Sequence, residues 1–282
     1  MTTTDTDRPA TTAGRDPSTL GLGLHRGVIE LKQFFREWDN VVFTFALPIV
    51  LLALLGSLFS GVYEGSDVTS AQYFVPSMIA AGVASATFVN LGISIAADRD
   101  DGTLKRLRGV PMPKAAYFLG KVVMVLVICV AEVIILIGLG MILFDVTLPT
   151  DPGKWLTFTW VFLLGVVACS FLGIAASSLA RTERSAGAVM NLPYIVLAFV
   201  SGIFFTPISA LPDALAQFGA LFPLKWMAQG FRSVFLPDTI LPQEIVTSTW
   251  EHDRIALVLG AWCVGGLILC LTTFRWRGRR ER

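Results

Sequence analysis

The sequence predicts an all-α integral membrane protein with six transmembrane helices, and three observations carry that fold class. Charged side chains make up 15% of the chain and mean hydropathy is +0.67, whereas a soluble domain carries about 25% charged residues. The apolar residues are gathered into long runs, and Lys and Arg concentrate in alternate connecting segments.

Residues 1–19 are rich in Thr, Asp and Pro and hold no apolar stretch that could form the core of a secretory signal. They read as a disordered cytoplasmic tail. Residues 20–40 read as an amphipathic interfacial helix. Leu24, Val28, Leu31, Phe35 and Trp38 recur at steps of four, three, four and three, with Arg26, Lys32 and Arg36 as their polar partners. Such a helix beside a span lies in the inner headgroup layer or packs on a soluble subunit.

Residues 41–274 hold the spans, at Val41–Ser60, Phe74–Ala97, Val122–Phe144, Trp155–Ala180, Ala186–Phe205 and Ile255–Phe274. About 20 helical residues at 1.5 Å each cross a hydrocarbon core of about 30 Å. Only the third run contains a charge, Glu132. An even number of spans puts both termini on one side. With the termini inside, 18 of the 22 Lys and Arg lie on the inner side, including the basic tail 275–282, and only Lys154, Lys225, Arg232 and Arg254 lie outside. The positive-inside rule therefore places both termini in the cytoplasm of a multi-pass protein.

Four cysteines, Cys129, Cys169, Cys263 and Cys270, fall within the spans without metal-ligand spacing and read as small buried hydrophobes. His25 and His252 fall on opposite sides, which excludes a shared histidine site for metal or catalysis. The net charge of +1 gives no reason to expect nucleic acid.

One stretch interrupts the oily chain. Asp98 to Arg108, eleven residues, carries seven charges; burying them would cost on the order of 20 kcal/mol, so the stretch must leave the membrane. Asp98, Asp100 and Asp101 precede Lys105, Arg106 and Arg108, while Pro111 and Pro113 follow. That order suits a short helix whose dipole meets acid first and base last. Too short to be stable alone, it needs a partner surface.

The run "DGTLKRLRGVPMPKAAYFLGK" resembles the motif that follows the second span in permeases of the ABC-2 family of ATP-driven transporters, through Gly102, Thr103, Leu104, Leu107, Pro111, Gly120 and Lys121. "LPDALAQFGALFPLKWMAQGFRSVFL", within the outer segment 207–254, resembles the same family's element between spans five and six, with Phe222 where many relatives have Asn. The uncharged run Ala214–Leu224 is too short to span and fits a re-entrant helical hairpin in the outer leaflet. The style is that of bacterial daunorubicin-exporter-like drug and lipid permeases.

The resemblance implies two such permeases, as a homodimer or with a related permease, working with two ATP-binding-cassette ATPase subunits in the bacterial cytoplasmic membrane. Within the loop 98–121 the coupling helix would carry Asp100, Gly102, Thr103, Leu104, Lys105, Arg106, Leu107 and Arg108, the two leucines as its apolar anchors in a groove of the ATPase. The chain has no G-x-x-x-x-G-K-[ST] loop, so MgATP would be bound by the partner and no cofactor by this chain. No catalytic residue is expected, and the cargo would be an amphiphile exported by alternating access.

Thr87, Asn90 and Ser94 in span two share a face, and span five adds Asn191, Phe199, Ser201, Phe204 and Phe205. The family places spans two and five along the pathway, so these are pathway candidates, with helix-to-helix hydrogen bonding as the alternative. Gly165, Cys169, Gly173 and Ser177 recur every four residues and read as close packing. Glu132 is a counter-charge for a cationic amphiphile, a titrating switch, or a structural hydrogen-bonding group. Other readings are export of a lipid-linked glycan or complex lipid, and a non-transporting sensor or immunity subunit paired with an ATPase. A membrane enzyme lacks any convergent constellation, and a secondary transporter would have more intramembrane charges and matching repeats.

Overall fold

The computed structural model describes residues 18–59, 61, 68–109, 113–204, 211–244 and 249–274. Most of the tail 1–19, the basic tail 275–282 and Phe205 lie outside them. Every regular element described is helical: α1 Thr19–Arg36, α2 Trp38–Leu58, α3 Ser70–Ala84, a π-turn Ser85–Asn90, α4 Leu91–Asp100, α5 Thr103–Arg108, α6 Lys114–Phe144, α7 Pro152–Ser177, α8 Glu183–Val200, α9 Asp213–Gly219, α10 Pro223–Phe235, α11 Leu241–Glu244 and α12 His252–Thr273.

The starts of these helices follow from local chemistry. Thr69 and Gln72 form a reciprocal capping box on α3, and Asp151 accepts from Gly153 N with Pro152 in the first turn of α7. Thr182 caps α8 and Ser18 caps α1. Each side-chain oxygen satisfies a backbone N–H that has no partner inside its own helix.

Five helices are long and apolar enough to cross a membrane: α2, the continuous α3–α4 helix, α6, α7 and α12. The sequence reading has six. The remaining expected span folds as α8, whose 18 residues open with Glu183 and Arg184 and contain Asn191 and Pro193. α8 runs antiparallel to the α3–α4 helix: Glu183 lies at Asp100, Met190 against Gly92, and Tyr194 donates to Ala81 O (3.0 Å).

The α3–α4 helix is the axis of the molecule. It is buried along 72% of its most apolar stretch, against 22% for α2 and for α12, and α2, α6, α7, α8 and α10 pack around it. Its π-turn makes close contact with α7, because a Cβ at Gly173 would stand 2.7 Å from the carbonyls of Thr87 and Phe88.

α1 has two working faces. Gly23, Gly27, Glu30 and Phe34 are buried, and the helix packs along α6; a Cβ on Gly27 would come within 2.8 Å of Val123. Leu24, Val28 and Phe35 stay uncovered by the protein, as an apolar stripe meant for lipid would; Trp38, expected on the same helix, instead starts α2.

Two expectations are corrected here. Asp98 and Asp100 with Arg99 between them are the last turn of α4, not part of a loop, because each finds a buried or capping partner there. Arg232, expected in an outer aqueous segment, is fully buried, because α10 folds back against α3 and α7.

Candidate functional site

The charged interruption forms a hub where α4 ends. Consecutive residues of an α-helix lie about 100° apart, so four in a row point in four directions. Asp98 Oδ2 lies 2.7 Å from Lys121 Nζ and accepts from Tyr117 Oη (2.8 Å), both on α6. Arg99 donates to Ser177 O (2.8 Å) and Ser177 Oγ (3.1 Å) at the end of α7, and its guanidinium lies over the Phe274 ring beyond α12. Asp100 accepts from Glu183 N (3.1 Å), the first residue of α8. Asp101 accepts from Thr103 N (2.8 Å) and Thr103 Oγ1 (3.0 Å), starting α5.

Gly102 makes the joint between α4 and α5. Its φ is +78° and nothing surrounds it, so conformation rather than space calls for glycine. Beyond it, Leu104 is 1% exposed and turned into its own protein, Thr103 and Leu107 are half-buried, and Lys105 and Arg106 are exposed. The Arg108 side chain lies outside the described residues.

Lys121 is itself 1% exposed and is held by two carboxylates and a hydroxyl: Glu30 of α1 (2.7 Å), Asp98 (2.7 Å) and Ser94 Oγ (2.6 Å). Arg26 completes the cluster at 2.5 Å from Glu30. Two cations and two anions balance, the condition under which buried charge is tolerated.

Inside the membrane-facing body, the pathway candidates turn to separate partners. Thr87 donates to Val83 O (2.6 Å), Asn90 to Thr44 Oγ1 of α2 (2.8 Å), and Ser94 accepts from Lys121. The π-turn is why they part: its wider turn breaks the simple helical register between Thr87 and Ser94. Asn191 and Phe199 are exposed on α8, and Asn191 donates to Gly187 O (2.9 Å). Phe204 packs on Phe199, and Ser201 is buried with no hydrogen-bond partner for its Oγ.

Glu132 is 2% exposed, and neither carboxylate oxygen has a hydrogen-bond partner. It presses on Gly82 of α3, where a Cβ would collide with the carboxylate. A separate apolar cleft of about 360 Å³ opens between α6 and α7, lined by residues including Leu126, Val130, Phe158 and Phe162.

The other buried charge is answered. Arg232 donates to Ser77 Oγ (3.0 and 3.1 Å) and to Gly202 O just past α8 (2.6 Å), and its guanidinium lies 4.5 Å over the Tyr73 ring. The cysteines are unpaired thiols, three of them buried. Among the described residues no group of three His, Cys, Asp or Glu assembles.

Residues 28–236 match the family model of the ABC-2 type transporter. The chain belongs to the ABC-2 transporter family. It is a membrane-spanning permease of that family, and the segment matched includes the hub, α5 and α10. It is 23% identical to YvfS of Bacillus subtilis (strain 168), named as a transport permease, over 73% of this chain and 82% of that protein. It is 25% identical to YbhR of Escherichia coli (strain K12), named as a multidrug ABC transporter permease, over 67% of this chain. The match spans half the length of that second relative.

Sequence reasoning about this ABC-2 chain misses Glu30, Lys121 and Arg232 as partners. A signal for the first exists: Gly23, Gly27, Glu30 and Phe34 repeat at steps of four, three and four, a small-residue stripe with an acid in it. For Arg232 the local pattern misleads: it shares the polar face of Pro223–Phe235 with Lys225 and Gln229, yet both faces of that helix are covered.

Proposed function

We propose that this permease is the transmembrane subunit of an exporter that moves an amphiphilic drug or lipid across a bacterial cytoplasmic membrane. A separate ATP-binding-cassette ATPase binds MgATP and drives it, and a second permease, a copy or a relative, completes the pathway. The chain contributes no covalent chemistry.

The observation that carries this reading is α5. A six-residue helix cannot hold itself together, yet it is capped by Asp101, anchored inward by Leu104, and left with Lys105 and Arg106 facing out. That is a rigid, cationic knob on the end of the central helix. An acidic groove on a soluble ATPase would be matched by its charge, which favours the right partner and speeds encounter.

On this reading the chain crosses six times with both termini cytoplasmic. α8 meets Asp100 at its start, and its far end meets Arg232, which bonds to Ser77. Along the α3–α4 helix, Ser77 to Asp100 is about 34 Å at 1.5 Å per residue, the thickness of a hydrocarbon core. α8 with the residues after it thus runs the distance of a span, and α9 and α10 form the outer re-entrant pair. Glu132, Asn191 and Phe199 remain the pathway side chains on this reading, while Thr87, Asn90 and Ser94 serve other partners. Cargo would reach Glu132 only when α3 parts from α6.

The test is a gentle pull-down from native membranes with mass spectrometry, comparing wild type with Lys105→Glu/Arg106→Glu. A Walker-motif ATPase recovered with wild type and lost with the variant supports the reading. No ATPase under conditions that keep complexes intact, or equal recovery with both forms, overturns it. ATP-driven movement of a fluorescent amphiphile in vesicles then separates a transporter from a sensor subunit.

A further inference from the structure

We propose that Lys121 is a positioning residue that makes α1, α4, α5 and α6 one rigid body, so that whatever moves α5 moves the first helix and the third span with it. The inference rests on the reading of α5 as the ATPase contact and adds to it the route by which force enters the membrane.

Three features argue for a rigid unit. First, the cluster of Arg26, Glu30, Asp98 and Lys121 joins three elements with short, charge-assisted contacts of 2.5 to 2.7 Å. Second, Lys121 is enclosed, at 1% exposed. Pulling α1 away would take Arg26 and Glu30 together and leave the neutral Lys121–Asp98 pair, so what separation breaks is the enclosed Glu30–Lys121 contact. Third, α1 and α6 touch backbone to backbone around the cluster: a Cβ on Gly120 would lie 3.1 Å from Gly27 N, and one on Gly23 would overlap Leu119.

The link to α5 is covalent and short. Asp98 and Asp101 sit one helical turn apart on the same stretch of backbone, the first bonded to Lys121 and the second holding Thr103. A torque on α5 therefore passes through one turn of helix before it reaches Lys121. The contacts of Arg99 to Ser177 and of Asp100 to Glu183 are of another kind. They join α4 to the ends of two other helices, one through Ser177 O and Oγ and one through Glu183 N, and Gly173 of α7 stands close on the π-turn carbonyls. The unit proposed is therefore the charge cluster with the helices it joins, and α7 and α8 pack on it.

The experiment measures a distance inside the complex. Spin labels are placed at Lys32→Cys on the exposed side of α1 and at Gly109→Cys at the exposed end of α5, in a Cys263→Ala background, with labelled chain diluted by unlabelled chain. Double electron–electron resonance is recorded with the captured ATPase, nucleotide-free and trapped with ATP and vanadate. One unchanged distance in both states is the expected result. A shift of about 5 Å, the rise of one helical turn, overturns the proposal even though the ATPase is bound.

A second form keeps the test clear of misfolding. Arg26→Gln/Glu30→Gln/Asp98→Asn/Lys121→Met removes every charge together, so none is left buried alone. It is expected to assemble and to capture the ATPase, with the labelled distance now broadened and dependent on nucleotide; Lys121→Arg, which keeps the cation, is expected to behave as wild type. If the neutral form shows the single wild-type distance in both states, the cluster is packing and not transmission. If no ATPase is captured by wild type, the coupling reading falls and this inference with it.

Discussion

At the scale of single residues, the two ionisable side chains buried in the membrane body, Glu132 and Arg232, make opposite demands. Arg232 has donors used in at least two directions, to Ser77 and to Gly202 O, with Tyr73 beneath its plane. A lysine there keeps the charge but has neither the planar fork nor the reach. Arg232→Lys is therefore expected to lower stability by about 1–3 kcal/mol, read as a fall in the thermal unfolding midpoint of the purified protein. An unchanged midpoint would show that charge alone is needed. Glu132 has both oxygens unmatched and lies against Gly82. A carboxyl so placed can serve as counter-charge for a ligand that brings a cation. Glu132→Gln is expected to slow vesicle export of a quaternary-ammonium amphiphile while leaving its uncharged analogue moving as before. Equal loss for both analogues, or none, removes the counter-charge role.

At the scale of elements, the joint at Gly102 and the docking of α1 are the places where one atom decides geometry. Gly102→Ala has space for its methyl but the wrong φ, a strain of about 1 kcal/mol. The strain is small against the whole fold but falls where α5 is aimed. The expected result is a near-normal unfolding midpoint with reduced ATPase recovery; recovery equal to wild type would mean the aim of α5 does not matter. Gly27→Val would drive a branched side chain into Val123, and faster amide exchange in Thr19–Arg36 alone is expected by mass spectrometry. The same two elements show what hydropathy can and cannot reveal. The lipid-facing stripe of α1 is legible because Leu24, Val28 and Phe35 contrast with their neighbours. The docking stripe is not, because Gly23 and Gly27 carry no hydropathy signal and Glu30 carries a misleading one. Likewise the charges of Asp98–Asp101 announce an exit from the membrane, but the partners that hold them, Lys121, Ser177 and Glu183, are distant in sequence and no local pattern points to them.

At the scale of the whole molecule, the open question is whether α8 crosses, and the chain's own cations can answer it. Long apolar runs reveal α2, α6, α7 and α12 directly, since helices of 21 to 31 residues that are apolar over most of their length have few other homes. α8 is less plain because Glu183, Arg184, Asn191 and Pro193 dilute it, and its fit against α3–α4 is a tertiary fact. Lys154, in the first turn of α7, lies on the side opposite Lys32 whether or not α8 crosses. Arg254, in the first turn of α12, does not have that independence: with six crossings it lies on the same side as Lys154, and with five it lies on the side of Lys32. Single cysteines at these three positions, treated with an impermeant maleimide on intact cells and then after permeabilisation, separate the cases. Labelling of Lys154→Cys and Arg254→Cys on intact cells, with Lys32→Cys reacting only after permeabilisation, is the expected outcome. If Arg254→Cys instead follows Lys32→Cys, α8 returns to the side it came from. The outer hairpin would then not be outer, and Arg232 would be packing the cytoplasmic half of the molecule.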